Sequence, residues 1–196
     1  VPEALSQNAA DDRVSVGVLG SGARAQFLMQ ASLDLPGGEI VAVCDAYKGR
    51  AERAQSITSG QAKIHDDYRR ILDDPGVDAV FIGSPDHWHR QMSLDALSAG
   101  KDVYIEKPMT YAIDEGLEIN SAAKSSSRIY QVGSQGMSSD TQQKARQMVQ
   151  EGKLGQVTLI RASYNRNTAS GAWLYPIPPD AGPSTVNWDQ FLGPAP

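Results

Sequence analysis

The chain has 196 residues, 40% hydrophobic and 21% charged, a globular composition long enough to bury a core and unlike that of disordered, collagenous or coiled-coil chains. With 18 basic against 23 acidic side chains its formal net charge is −5, which gives no broad basic field for a nucleic-acid backbone and points to small-molecule partners. No apolar run approaches the ~20 residues of a membrane-spanning helix, so a membrane is not an expected partner either.

Apolar runs of strand length alternate with longer stretches of helical period, the pattern of βαβ units and of a doubly wound α/β fold with a parallel sheet. Strands are expected at Val14 to Leu19, Ile40 to Cys44, Ala62 to His65, Val77 to Ile82, Asp102 to Ile105 and Ile129 to Val132. Helices are expected between them at Ala23 to Leu33, Lys48 to Ser59, Asp67 to Leu72, His89 to Ala99, Asp114 to Ser125 and Thr141 to Glu151. Gly100 and Gly152 stand where helices end. Beyond Gln156 the pattern breaks, and six of the eleven prolines fall in the final 21 residues, with Trp173 and Trp188 nearby. A structureless tail with two tryptophans needs a surface to lie on. The expected division is a dinucleotide-binding Rossmann domain over 12–138 and, over 139–196, a crossover helix with the start of a second α/β domain.

The start, Val1-Pro-Glu-Ala-Leu5, has neither the basic nor the apolar region of a signal peptide, and it begins at Val rather than Met. Cytoplasm and, after removal of an export signal, periplasm both stay open. The lone Cys44 sits in an apolar run and reads as a buried thiol.

The first strand runs into Gly20-Ser-Gly22-Ala-Arg-Ala25, a G-x-G-x-x-A sequence opening a helix. Gly20 permits the tight turn, Gly22 lets a pyrophosphate approach the backbone, and Ala25 allows close packing. The free amides at the helix start, around Ala23 and Arg24, would receive the anion. Asp45 ends the second strand 20 residues beyond Ala25, near the spacing at which a carboxylate accepts hydrogen bonds from the adenine ribose. Such a carboxylate favours NAD over NADP, a preference softened by Lys48 and Arg50. The competing reading makes Asp45 the N-cap of the next helix.

The fourth strand leads to Gly83-Ser84-Pro85-Asp86-His87-Trp88-His89 at the ligand-binding edge of the sheet. His87 and His89 lack a supporting carboxylate or cysteine cluster, so no metal site is expected. Hydrogen bonding to a ribose, or N-capping by Asp86, suits the loop better. Trp88 either covers a nicotinamide face or packs beneath a loop. The fifth strand ends in Glu106-Lys107-Pro108. There a lysine can hydrogen-bond a substrate hydroxyl and stabilise a developing alkoxide. Glu106 could hold that ammonium, and Pro108 could fix the turn through a cis bond.

Taken together, Gly17-x-x-Gly20-x-Gly22, Ser84-Pro85-Asp86-His87-Trp88-His89, Ala99-Gly100-Lys101-Asp102-Val103-Tyr104-Ile105-Glu106-Lys107-Pro108 and Val132-Gly133-Ser134-Gln135 resemble the glucose-fructose oxidoreductase, inositol dehydrogenase and rhizopine-catabolism (Gfo/Idh/MocA) family over about residues 13–165. The ending from Val186 to Pro196 looks like a segment of one branch of it. The resemblance implies a Rossmann domain followed by a domain whose open, mostly antiparallel sheet walls the substrate and often forms the interface of a homo-oligomer. It makes Lys107 the active-site lysine, matches His89 to a histidine near the nicotinamide ribose, and gives Gly20, Gly22 and Asp45 the adenosine half of NAD. Further catalytic residues would belong to the second domain, of which the sequence carries only the beginning, from about Leu154; Tyr164, Asn165 and Arg166 are the weakest candidates there.

The leading expectation is an oxidoreductase that transfers a hydride between NAD and a carbinol carbon of a sugar or polyol. An NAD-dependent glycosidase acting through transient sugar oxidation, or a non-catalytic NAD-binding or oligomerising module, are the alternatives.

Overall fold

The computed structural model describes residues 13–164, 169 and 177–195. Asn165 and Arg166, the weak candidates named above, and Trp173 lie outside the described residues. Among those described, residues up to Gly133 and from Ala181 onward form one compact unit, and Ser134–Asp180 form a second.

In the first unit six strands, β1 (Val14–Leu19), β2 (Gly38–Cys44), β3 (Lys63–His65), β4 (Ala79–Ile82), β5 (Asp102–Glu106) and β6 (Tyr130–Gly133), lie in the order β3-β2-β1-β4-β5-β6. Every pairing is parallel. The order reverses between β1 and β4, which opens a ligand crevice at the carboxyl ends of these strands. The strands are joined by α1 (Ala23–Leu33), α2 (Lys48–Ile57), α3 (Arg69–Leu72), α4 (Asp86–Ser98) and α5 (Ile113–Ser126).

Helices on both faces explain why β2 and β4 carry unbroken apolar runs rather than strict alternation. Leu19, Ile71, Val80, Ile82, Met92, Ala96 and Ile105 fill one side, while Val18, Ala25, Met29, Val43, Ala54 and Ala62 fill the other. Each fully buried aliphatic side chain contributes ~1.5–3 kcal/mol. Lys101 is buried where β5 begins, and its ammonium donates to the carbonyls of Asp74 and Val77, both at 2.7 Å. The lysine thus joins the entry of β5 to the loop before β4.

α4 starts earlier than periodicity suggests. Pro85 is extended and stands just before Asp86, whose carboxylate suits the positive end of the helix. His87, Trp88 and His89 therefore lie on the first turn of a helix and not in a loop.

The second unit holds a 3-10 turn at Gln135–Ser138 and α6 (Asp140–Gln150). Ser139 caps α6 by accepting from the Gln142 N–H at 3.3 Å. Residues 155–164 form neither helix nor strand, and Leu159 and Ile160 are exposed.

The tail from Ala181, placed with the second domain by the sequence pattern, packs with the first unit instead. It carries a short helix, α7 (Trp188–Leu192). Its prolines remove backbone donors, and the tail finds partners by bridging at Val186 to Tyr47 and burying Val186. Among the described residues no helix is long and apolar enough to cross a membrane.

Candidate functional site

A cavity of about 180 Å³ opens at the carboxyl ends of β1, β2 and β4. Its lining brings together six of the residues expected from sequence: Gly20, Gly22, Asp45, Ser84, Pro85 and Trp88.

Gly20 has φ +81°, and a Cβ there would lie 2.7 Å from the backbone N and Cα of Ser84. The turn between β1 and α1 and the loop after β4 therefore touch only because this position has no side chain. Gly22 precedes α1 and has open space where a Cβ would stand. No side chain caps α1, so its first amides remain available to an anion.

Asp45 is not a helix N-cap, since Tyr47 holds that position before α2. Its carboxylate accepts from the backbone N–H of Ser21 and of Tyr47, both at 2.8 Å. It thereby fixes the glycine-rich turn against the end of β2. Burial raises the Asp45 carboxyl above its ordinary value and outweighs the lowering effects of those amides and of Arg50. Next to it, burial and the Asp45 charge push the Cys44 thiol up to about 12.

Ser84 lines the cavity from the loop after β4, and its Oγ, closed off from solvent, has no hydrogen-bond partner among the described residues. Uncapped amides at the start of α1 and a carboxylate at the end of β2 are compatible with a dinucleotide.

Other expected residues lie outside that lining. Ala23 is exposed at the start of α1. Arg24 donates from Nε to Glu106 at 2.7 Å, and its guanidinium sits 5.0 Å from the Phe27 ring. Glu106 is buried and also accepts from the Lys107 N–H at 3.2 Å, so it ties α1 to the end of β5. That tie was not foreseen from sequence. Lys107 is exposed, and its bond to Pro108 is cis.

His89, expected near a ribose, is instead buried between two carbonyls. Nδ1 lies 2.6 Å from the Pro108 oxygen and Nε2 lies 3.0 Å from the Ser84 oxygen. It braces the loops that carry Ser84 and Lys107. His87 donates from Nε2 to the Phe191 carbonyl at 2.9 Å, and Trp88 donates from Nε1 to the Gln190 carbonyl at 2.9 Å. Trp88 thus packs beneath the tail while one side lines the cavity.

Arg50, named for its charge near Asp45, also lines the cavity, as do Tyr68, Met92, Gln190 and Phe191, which were not singled out from sequence. Tyr68 had a readable signal, since it follows β3 at the same carboxyl edge. Its hydroxyl donates to Asp95 at 2.6 Å, and burial raises its titration. Gln190 and Phe191 come from the far end of the chain, where no local pattern points to the crevice.

Residues 14–134 match the model of the Gfo/Idh/MocA oxidoreductase family, described as an NAD-binding Rossmann fold. The chain is 34% identical over 124 residues to the scyllo-inositol 2-dehydrogenase (NAD(+)) of Bacillus subtilis, which covers 63% of this chain and 36% of that protein. Identity to the inositol 2-dehydrogenase of Salmonella typhimurium is 29% over 157 residues, 79% of this chain and 46% of that one. The chain thus spans less than half the length of these relatives. Myo-inositol dehydrogenase of Lactobacillus casei, solved with NAD(H) and myo-inositol, superposes with a TM-score of 0.69 at 30% identity, covering 73% of this chain and 43% of that one. With the family match spanning most of the sheet and its glycine-rich turn, the chain belongs to the Gfo/Idh/MocA oxidoreductase family.

Proposed function

We propose that the chain binds NAD at the crevice between β1, β2 and β4 and serves hydride transfer to or from a carbinol carbon of a sugar or polyol. The observation that carries the reading is a cavity at the carboxyl ends of β1, β2 and β4 lined by Gly20, Gly22 and Asp45, beside the uncapped amides that begin α1. The inositol dehydrogenases among its relatives support a polyol as the substrate class.

NAD would supply the hydride-accepting ring, and residues of this chain would hold it and the substrate hydroxyl. The amides at the start of α1 hold the diphosphate, and Asp45 accepts from the adenosine ribose. Lys107, at the end of the neighbouring β5, hydrogen-bonds the substrate hydroxyl, and its positive charge stabilises oxyanion character as the hydroxyl proton passes to a general base. His89 and Glu106 set the position of the Lys107 backbone, the first through the Pro108 carbonyl and the second through the Lys107 N–H.

Lys107→Ala tests the division of labour. Polyol oxidation, followed as NADH absorbance, is expected to fall by about 10²–10⁴-fold, while the NAD dissociation constant stays within about threefold. Unchanged turnover would remove Lys107 from the chemistry.

A further inference from the structure

We propose that the tail from Gly182 to Gly193 is a fixed outer wall of the adenosine pocket, and that Phe191 presents its ring to the adenine base. The proposal rests on the reading that this cavity takes NAD, and it assigns binding residues to a segment that the Rossmann pattern does not contain.

The tail is anchored on both banks of the crevice. On the β2 side it bridges Tyr47 through Val186, the Lys48 N–H donates to the Thr185 carbonyl at 3.0 Å, and the Asn187 N–H donates to the Ala46 carbonyl at 2.8 Å. Beyond β3, the Gln190 amide donates to the Asp66 carbonyl at 2.7 Å. On the β4 side, His87 and Trp88 donate to the Phe191 and Gln190 carbonyls. A Cβ at Gly193 would fall 2.0 Å from the Trp88 indole, so the tail lies flush on that ring. Such a chain crosses the crevice; it does not merely rest beside it.

The half of the crevice that it crosses decides the ligand. Asp45, Ala46, Arg50 and Tyr68 share the cavity with Phe191, and all lie on the β2–β3 side. In a doubly wound dinucleotide fold that side receives the adenosine half, because the carboxylate at the end of β2 meets its ribose. Gln190 and Phe191 are half-buried, and the pocket between them and Met92 is largely apolar in character. A flat purine next to an aromatic ring loses little hydration and gains stacking contact.

The test titrates the full chain and its Phe191→Ala and Phe191→Leu variants with NAD, AMP and nicotinamide mononucleotide by calorimetry, with thermal melts alongside. Phe191→Leu keeps apolar volume without the ring and guards against simple unfolding. The expected result is a roughly five- to hundredfold weakening of NAD and AMP together, as base–aromatic stacking predicts, with nicotinamide mononucleotide unchanged. Unaltered AMP and NAD affinity in both variants would overturn the proposal. So would tighter binding, which would mean that the tail fills the site. If the unmodified chain bound neither NAD nor AMP, the cofactor reading itself would fall and this proposal with it.

Discussion

The two halves of the carboxyl edge are finished to different degrees. On the β2 side, Asp45, Tyr68 and the returning tail enclose a cavity whose wall comes wholly from the first unit. On the β5 side, Lys107 and Pro108 are exposed, and the chain that follows shows Tyr111, Ile113 and Leu117 to solvent. Holding a nucleotide needs a shaped surface, which the described residues provide. Hydride transfer also needs water kept away from the reacting atoms, and around Lys107 the described residues leave the ammonium open. The comparison separates binding from chemistry, and substitutions on the enclosed side should alter the first.

The largest effect on cofactor binding is expected at Gly20. Alanine there would meet both a positive φ, costing ~1–2 kcal/mol, and the Ser84 backbone at 2.7 Å. Gly20→Ala should weaken NAD by about a hundredfold, which corresponds to ~2.8 kcal/mol, and lower the melting temperature by several degrees. Calorimetry and a thermal melt check both. Retained affinity would mean that the turn can move away from the loop after β4 without spoiling the cradle.

That turn was legible in the sequence, as was most of the sheet. β1 and α1 fall at their expected bounds because an apolar run, a G-x-G-x-x-A turn and a helical period agree with one another. The other strands fall within two residues at each end, with β4 starting two residues later than expected. There Val77 and Asp78 belong to the approach, the Asp78 N–H and side chain both pairing with Ser15. The start of α4 was hidden because polar residues fill its first turn and apolar period begins only at Met92. The tail was hidden for a different reason. Its anchors are mostly backbone carbonyls and amides meeting residues more than a hundred positions away, and such bonds leave no local pattern. For the same reason, Gly193 reads as a loop glycine until Trp88 is found against it. At the site, the pattern brought forward Gly20, Gly22, Asp45 and Ser84, which the fold gathers in one cavity lining. The inward turn of His89 was not, because an imidazole between two carbonyls looks in sequence like one facing a ligand.

A smaller effect is expected at Asp45. Burial raises its folded-state titration above 3.8, so the stability it contributes is complete below that value and is lost as pH rises through the folded value. Ribose hydroxyls donate best to the ionised carboxylate, so NAD affinity should rise across the same window, above pH 3.8. Asp45→Asn should flatten that rise, weaken NAD by about tenfold through loss of a charge-assisted hydrogen bond, and narrow the gap between NAD and NADP. Isothermal titrations over a pH series provide the measurement. A wild-type affinity indifferent to pH in that window would take Asp45 away from the ribose.

The smallest functional effect belongs to Cys44, which sharpens the comparison because it lies on the enclosed side yet performs no chemistry. With its thiol raised from 9.0 to about 12, the thiolate present near pH 8 falls roughly a thousandfold, and alkylation by iodoacetamide should slow in proportion. Its place in the cavity lining means that bound NAD should slow the reaction further, whereas Cys44→Ser should leave NAD affinity within about twofold. Mass spectrometry of timed reactions, with and without NAD, reads out both. Rapid labelling unaffected by NAD would show that the end of β2 opens to solvent, and the enclosure that distinguishes the adenosine side from the Lys107 side would then be no barrier at all.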